Sequence, residues 1–115
     1  MVTRSTFTPV ADGDALDALW ERSGAEPVVL FKHDPFCSIS LVAYQEVANL
    51  GRDVAVVDVA RAKALAKDVA KRTGVRHESP QVIVLRDGAA AWDASHWDIT
   101  ANAIADALAD GPATP

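Results

Sequence analysis

Apolar and polar positions along this chain alternate between two periods, and the alternation predicts the elements. The opening stretch, residues 1–11, is polar, carries Pro9 and reads as an arm or edge segment. Asp12-Gly13-Asp14 offers a helix N-cap, and Leu16, Leu19 and Trp20 follow at helical spacing up to Gly24. Val28-Val29-Leu30-Phe31 is a wholly apolar run, the pattern of a strand buried on both faces. After a short loop, Ile39, Val42, Ala43, Val47 and Leu50 mark one helical face, closed by Gly51. A second buried strand follows at Val54–Val59. Ala62, Leu65, Ala66, Val69 and Ala70 then form another amphipathic helix, stopped near Gly74.

Gln81–Leu85 is a further strand, entered through Ser79-Pro80. Arg86-Asp87-Gly88 is a hairpin turn, and Ala89–Ala94 is the returning strand. A last helix, capped near Asp98 or Thr100, carries Ile104 and Leu108 into a Gly-Pro tail. Strands alternating with helices pair in parallel through right-handed crossovers, and the hairpin adds two antiparallel strands. The expected fold is α/β and thioredoxin-like: a central four-stranded mixed sheet with helices on both faces. One domain spans 12–110, with 111–115 as a flexible tail.

Composition narrows the partners. At 115 residues and 50% hydrophobic, the chain has material for one core. A formal net charge of −5 argues against nucleic acid, whose phosphates need a basic surface. No apolar run has the length of a membrane span, and the polar start lacks a secretory signal. One cysteine forbids an internal disulfide, so a reducing, cytoplasmic setting is expected.

That cysteine, Cys37, falls where a strand and a short loop deliver the chain into a helix. Unpaired N–H groups and the positive end of the helix dipole stabilise a thiolate there, and the thiolate is the nucleophile. Ser38 and Ser40 are candidate hydroxyl donors to it. Cys37-x-x-Ser40 is a Cys-x-x-Cys site with oxygen in place of the resolving sulfur. It can take over an adduct from a mixed disulfide, but a second thiol must release it. The bland alternative is a buried, inert cysteine, and its placement at a helix start weighs against that.

Pro80 begins the hairpin at the sheet end where the first core strand stops, which puts Ser79-Pro80 beside Cys37. A cis bond would turn the Ser79 backbone toward the thiol; a trans proline opening a strand is the ordinary alternative. His33, His77 and His96 all fall at the same end, with Lys32 and Arg76 nearby, and suggest an anion-binding mouth. Each histidine could instead cap a loop. Zinc is a poor alternative, because no ligand pair has local metal spacing. Trp20 and Trp92 are expected to be structural. Trp97, next to His96, is a candidate groove wall, with core packing the stronger expectation.

Phe31-Lys32-His33, Cys37-x-Ile39-Ser40, His77-Glu78-Ser79-Pro80-Gln81 and Ala94-Ser95-His96-Trp97-x-Ile99 together resemble the monothiol bacilliredoxin family over residues 12–109. The resemblance implies that Cys37 is the nucleophile, that Pro80 is cis, and that His77 and His96 border the thiol. It also implies bacillithiol as co-substrate with no tightly bound cofactor. The partners would be bacillithiolated proteins and low-molecular-weight thiols. The site departs from the family's usual Thr-Cys-Pro-Ile-Ser: Phe36 stands for threonine and Ser38 for proline. The expected function is removal of bacillithiol from protein mixed disulfides. The alternatives are a non-catalytic adaptor module and a dimeric iron–sulfur carrier, though the Cys-Gly-Phe-Ser of such carriers is absent.

Overall fold

The computed structural model describes residues 3–110; the expected tail at 111–115 lies outside them. In chain order the elements are β1 (Thr6–Pro9), α1 (Gly13–Arg22), β2 (Val28–His33), α2 (Ser38–Ala48) and β3 (Asp53–Asp58). They continue with α3 (Lys63–Thr73), β4 (Gln81–Arg86), β5 (Ala89–Ser95), a 3-10 turn at His96–Asp98, and α4 (Ala101–Asp110). The sheet order is β1-β3-β2-β4-β5. β1 and β2 run parallel to β3, while β4 is antiparallel to both β2 and β5.

The sheet has five strands where four were expected. The fifth is the opening segment, which pairs through Thr6↔Asp53 and Phe7↔Val54. It is short, mostly exposed and ends on proline, so it shows no alternation from which a strand could be predicted. The other element types stand as expected. Asp12 caps α1 by accepting from Ala15 N–H at 2.9 Å. Gly74 ends α3 in the left-handed region, and Asp87-Gly88 turns the hairpin with both φ positive. Gly24 does not close α1; Ser23 does, in right-handed helical geometry.

Because neighbours on a strand face opposite ways, the sheet divides the core in two. On one face Val28, Leu30, Val57, Ile83 and Leu85 pack with Leu16 and Leu19 of α1 and Ala66 and Val69 of α3. On the other, Val29, Phe31, Val54 and Val82 pack with Ala43 and Val47 of α2 and Ile104 of α4. The expected face of α2 needs one correction. Val42 is exposed, and Ser40, Ala43, Val47 and Ala48 are the buried positions. No helix among the described residues is long and apolar enough to cross a membrane.

Candidate active site

Register places the site. β2 and β4 pair through Lys32↔Gln81, and β4 and β5 through Gln81↔Ser95. His33, Pro80 and His96 each lie one residue beyond that row, side by side at one end of the sheet. The His96 N–H donates to the Pro80 carbonyl at 3.0 Å, and the Ser79–Pro80 bond is cis. From His33 the chain turns through Asp34–Cys37, closed by Cys37 N–H to the Asp34 carbonyl at 3.1 Å and Phe36 N–H to Asp34 Oδ1 at 2.9 Å.

Cys37 is the N-cap residue of α2, in extended geometry, and its side chain makes no capping hydrogen bond. It is partly exposed. The free N–H groups of the first helical turn therefore lie next to an accessible sulfur.

Ser40, three residues on, is fully buried. Its Oγ accepts from Asp34 N–H at 2.9 Å and lies 2.6 Å from His33 Nδ1. The expectation that Ser40 donates to the thiol is thus replaced by another arrangement: the hydroxyl ties the thiol loop and α2 to the end of β2. The His33 ring stacks on Phe31 at 5.1 Å and meets Tyr44 at 5.2 Å. Burial lowers the His33 pKa against the opposing pull of Asp58 and Asp34, which favours a neutral ring.

The positive groups do not gather into one mouth. Lys32 and His33 are adjacent in sequence and therefore face opposite sides of the sheet. His33 lies on the α2 side, under Cys37-x-x-Ser40. Lys32 lies on the α1/α3 side, fully buried, its Nζ donating to Gln81 Oε1 at 3.0 Å. Burial pulls its pKa down to about 8, with Glu78 opposing, so it is not a permanently charged surface cation. His77 goes with Lys32: it borders a small recess with Val59, Lys63 and Ala66, and burial and the Lys32 charge lower its pKa.

His96, at φ 55°, starts the 3-10 turn rather than the last helix, and its Nε2 is 3.6 Å from Glu78 Oε2. Two N–H groups at the start of α4 are already engaged, Ala101 N–H by the Glu46 carboxylate and Ala103 N–H by Thr100 Oγ1. Trp97 is not in the core; it is 66% exposed. Phe36 (78% exposed), Leu41 and Val42 are likewise exposed at the start of α2, and the 3-10 turn that carries Trp97 packs against that helix.

Gln81 has no expected role from the sequence, yet it organises the floor. Its Nε2 donates to the Arg76 carbonyl at 3.0 Å and to Ser95 Oγ at 3.3 Å, while its Oε1 holds Lys32. A lone amide opening an apolar strand beside a proline is the signal that could have marked it. Among the described residues, no cluster of three or more His, Cys, Asp or Glu has metal-binding geometry.

Known proteins share this architecture. A structure described as a candidate oxidoreductase with a thioredoxin fold superposes with TM-score 0.82 at 28% identity, covering 88% of this chain and 92% of its own. A thioredoxin from Halobacterium salinarum matches at TM-score 0.72 and 20% identity, over 95% of this chain and 94% of its own. Thioredoxin f from spinach chloroplast matches at TM-score 0.68 and 17% identity, over 90% of each. These likenesses carry the fold, and a thiol–disulfide redox role follows from the family model for monothiol bacilliredoxins, which matches residues 8–104. The chain that places its one thiol at the head of α2 belongs to the monothiol bacilliredoxin family.

Proposed function

We propose that this protein removes bacillithiol from protein mixed disulfides in the cytoplasm, with Cys37 as the one-thiol nucleophile. The observation that carries the reading is the uncapped Cys37 side chain at the N-terminus of α2, with Ser40 in the resolving position and engaged elsewhere. The Cys37 thiolate attacks the bacillithiol sulfur of a protein–S–S–bacillithiol bond. A Cys37–bacillithiol disulfide forms, and the protein leaves as a thiolate that takes up a proton from water. Ser40 has no sulfur with which to expel the adduct, so a second thiolate attacks the bacillithiol sulfur and returns Cys37 to its reduced form.

The protein half of the substrate lies against Phe36, Leu41 and Trp97, apolar side chains that are otherwise left in water. Ser79 and Pro80 border the incoming chain at the other side of the thiol. His33 positions Ser40, and His96 is the exposed imidazole nearest this edge. Lys32 and His77, on the opposite face, act through Gln81 and the loop before Pro80 rather than by touching the adduct.

The test is intact mass after mixing the reduced protein with a model protein carrying bacillithiol. The expected outcome is one bacillithiol mass on this chain, removed by added thiol and absent in Cys37→Ser. A parallel arm with a glutathionylated substrate reads the preference. No adduct from either substrate would overturn the exchange reading and leave an adaptor; equal rates on both would overturn bacillithiol specificity alone.

A further inference from the structure

The molecule has a cavity that the thiol chemistry does not use. It lies beside the thiol turn, where the ends of β1, β3 and β2 meet α2, and has a volume of about 540 Å³. Ligand sites of this size are ordinarily apolar with a few convergent polar groups. Here the apolar walls come from Phe7, Val10, Tyr44 and Val56, and Pro35 of the thiol turn closes one side. Phe7 and Tyr44 are stacked on each other with centroids 4.4 Å apart, so the pair lines the cavity as one aromatic cluster.

Besides the hydroxyl-bearing Tyr44, three polar residues line it: His33, Asp58 and Arg61. The Asp58 carboxylate is already engaged. Its Oδ1 accepts from the N–H groups of Ala60 and Arg61, and its Oδ2 from Arg61 Nη1 at 3.2 Å. The Arg61 guanidinium offers five N–H donors and spends one of them there, on an exposed pair whose attraction water largely screens. Its side chain is 75% exposed at the cavity mouth, and the remaining donors have no protein partner among the described residues. On the inner side, His33 uses Nδ1 on Ser40, which leaves Nε2 for the cavity.

An apolar, aromatic-lined interior with a guanidinium at its mouth complements a small molecule of one kind. We infer that this cavity binds an amphipathic carboxylate, its aromatic body against Phe7 and Tyr44 and its carboxylate on Arg61. The guanidinium fork matches a carboxylate in a bidentate pair, and a neutral head group forfeits that contact. Bacillithiol, a polar sugar carrying two carboxylates, does not suit these walls, so the cavity's ligand differs from the exchange substrate even though His33 and Pro35 border both regions.

The experiment is a calorimetric and NMR titration of the full chain with 3-phenylpropionate, with 3-phenylpropanol as the neutral isostere. Saturable binding of the acid is expected, with shifts in the His33 and Tyr44 ring signals and at least about tenfold weaker binding of the alcohol. Arg61→Gln, at an exposed position, should weaken the acid by about tenfold and leave the alcohol unchanged. Ala11→Trp, also exposed and on the cavity rim, should block both. Absence of saturable binding, equal affinity for acid and alcohol, or indifference to Arg61→Gln would each overturn the assignment. Because the readout is binding, these outcomes stand whether or not Cys37 exchanges bacillithiol.

Discussion

Ser40 and Lys32 show how one residue's surroundings set its task. Ser40 accepts from the Asp34 N–H and pairs with His33, so its hydroxyl fixes the loop that carries Cys37. Ser40→Ala keeps the size and removes both bonds. The expected cost is about 1–2 kcal/mol of stability, because two half-buried groups lose their partner. Denaturant unfolding measures the loss. Cys37 alkylation should still proceed in this variant, since the thiol is already partly exposed.

Lys32 makes a pH-dependent contribution whose sign follows from its direction of shift. Its pKa falls from 10.5 in the unfolded chain to about 8 in the fold, so between those values the unfolded chain holds more protons. Stability from this group therefore rises as pH climbs from about 8 to 10.5, and is lost as pH falls through 8. Compared with Lys32→Met, the native protein should gain relative stability across that interval. A flat difference between the two would show that Lys32 is not held in a desolvated site.

At the scale of elements, periodicity made most of the fold legible. Val28–Phe31 and Val82–Leu85 are apolar throughout because both sheet faces are covered, and the sequence declares that directly. β1 was hidden because an edge strand with one half-buried residue has no pattern to display. The site was legible in part. The position of Cys37 at a helix start follows from strand, loop and apolar face. The segregation of Lys32 from His33 also follows from the two-residue period of a strand, but only once the strand is known to reach His33. Gln81 was not legible, since its use depends on Arg76 and Ser95 arriving from elsewhere.

Glycines at element ends give a prediction at the same scale. Gly74 and Gly51 both have positive φ, yet a Cβ at Gly74 meets open space while one at Gly51 would lie 2.7 Å from the Thr3 carbonyl oxygen. Gly74→Ala should cost about 1 kcal/mol, the ordinary penalty for a left-handed alanine. Gly51→Ala should cost distinctly more, because the backbone of residue 3 must also move. Thermal unfolding of the two variants side by side checks the ranking, and equal losses would contradict the close approach.

For the molecule as a whole, the surface around Cys37 and the overall charge demand different kinds of partner contact. The chain carries a net charge of −5, and the cations expected at the thiol end are buried, as Lys32 is, or set against carboxylates, as His96 is beside Glu78. Long-range attraction of an anionic adduct is therefore weak. Phe36, Leu41 and Trp97 remain exposed, and on the proposed reading contact with them depends on apolar burial, which salt does not screen. Recognition on the proposed reading thus rests on the protein half of the mixed disulfide. Replacing Phe36 and Trp97 together with serine removes two large aromatic side chains from that surface while leaving the core untouched. Reduction of a bacillithiolated protein should slow by about tenfold or more, since each aromatic contact contributes about 1 kcal/mol or above when buried. Reduction of bacillithiol disulfide, which has no protein half, should change little. Neither rate should depend steeply on salt between low and physiological ionic strength. A steep salt dependence, or equal loss on both substrates, would place recognition in charge rather than in this apolar surface.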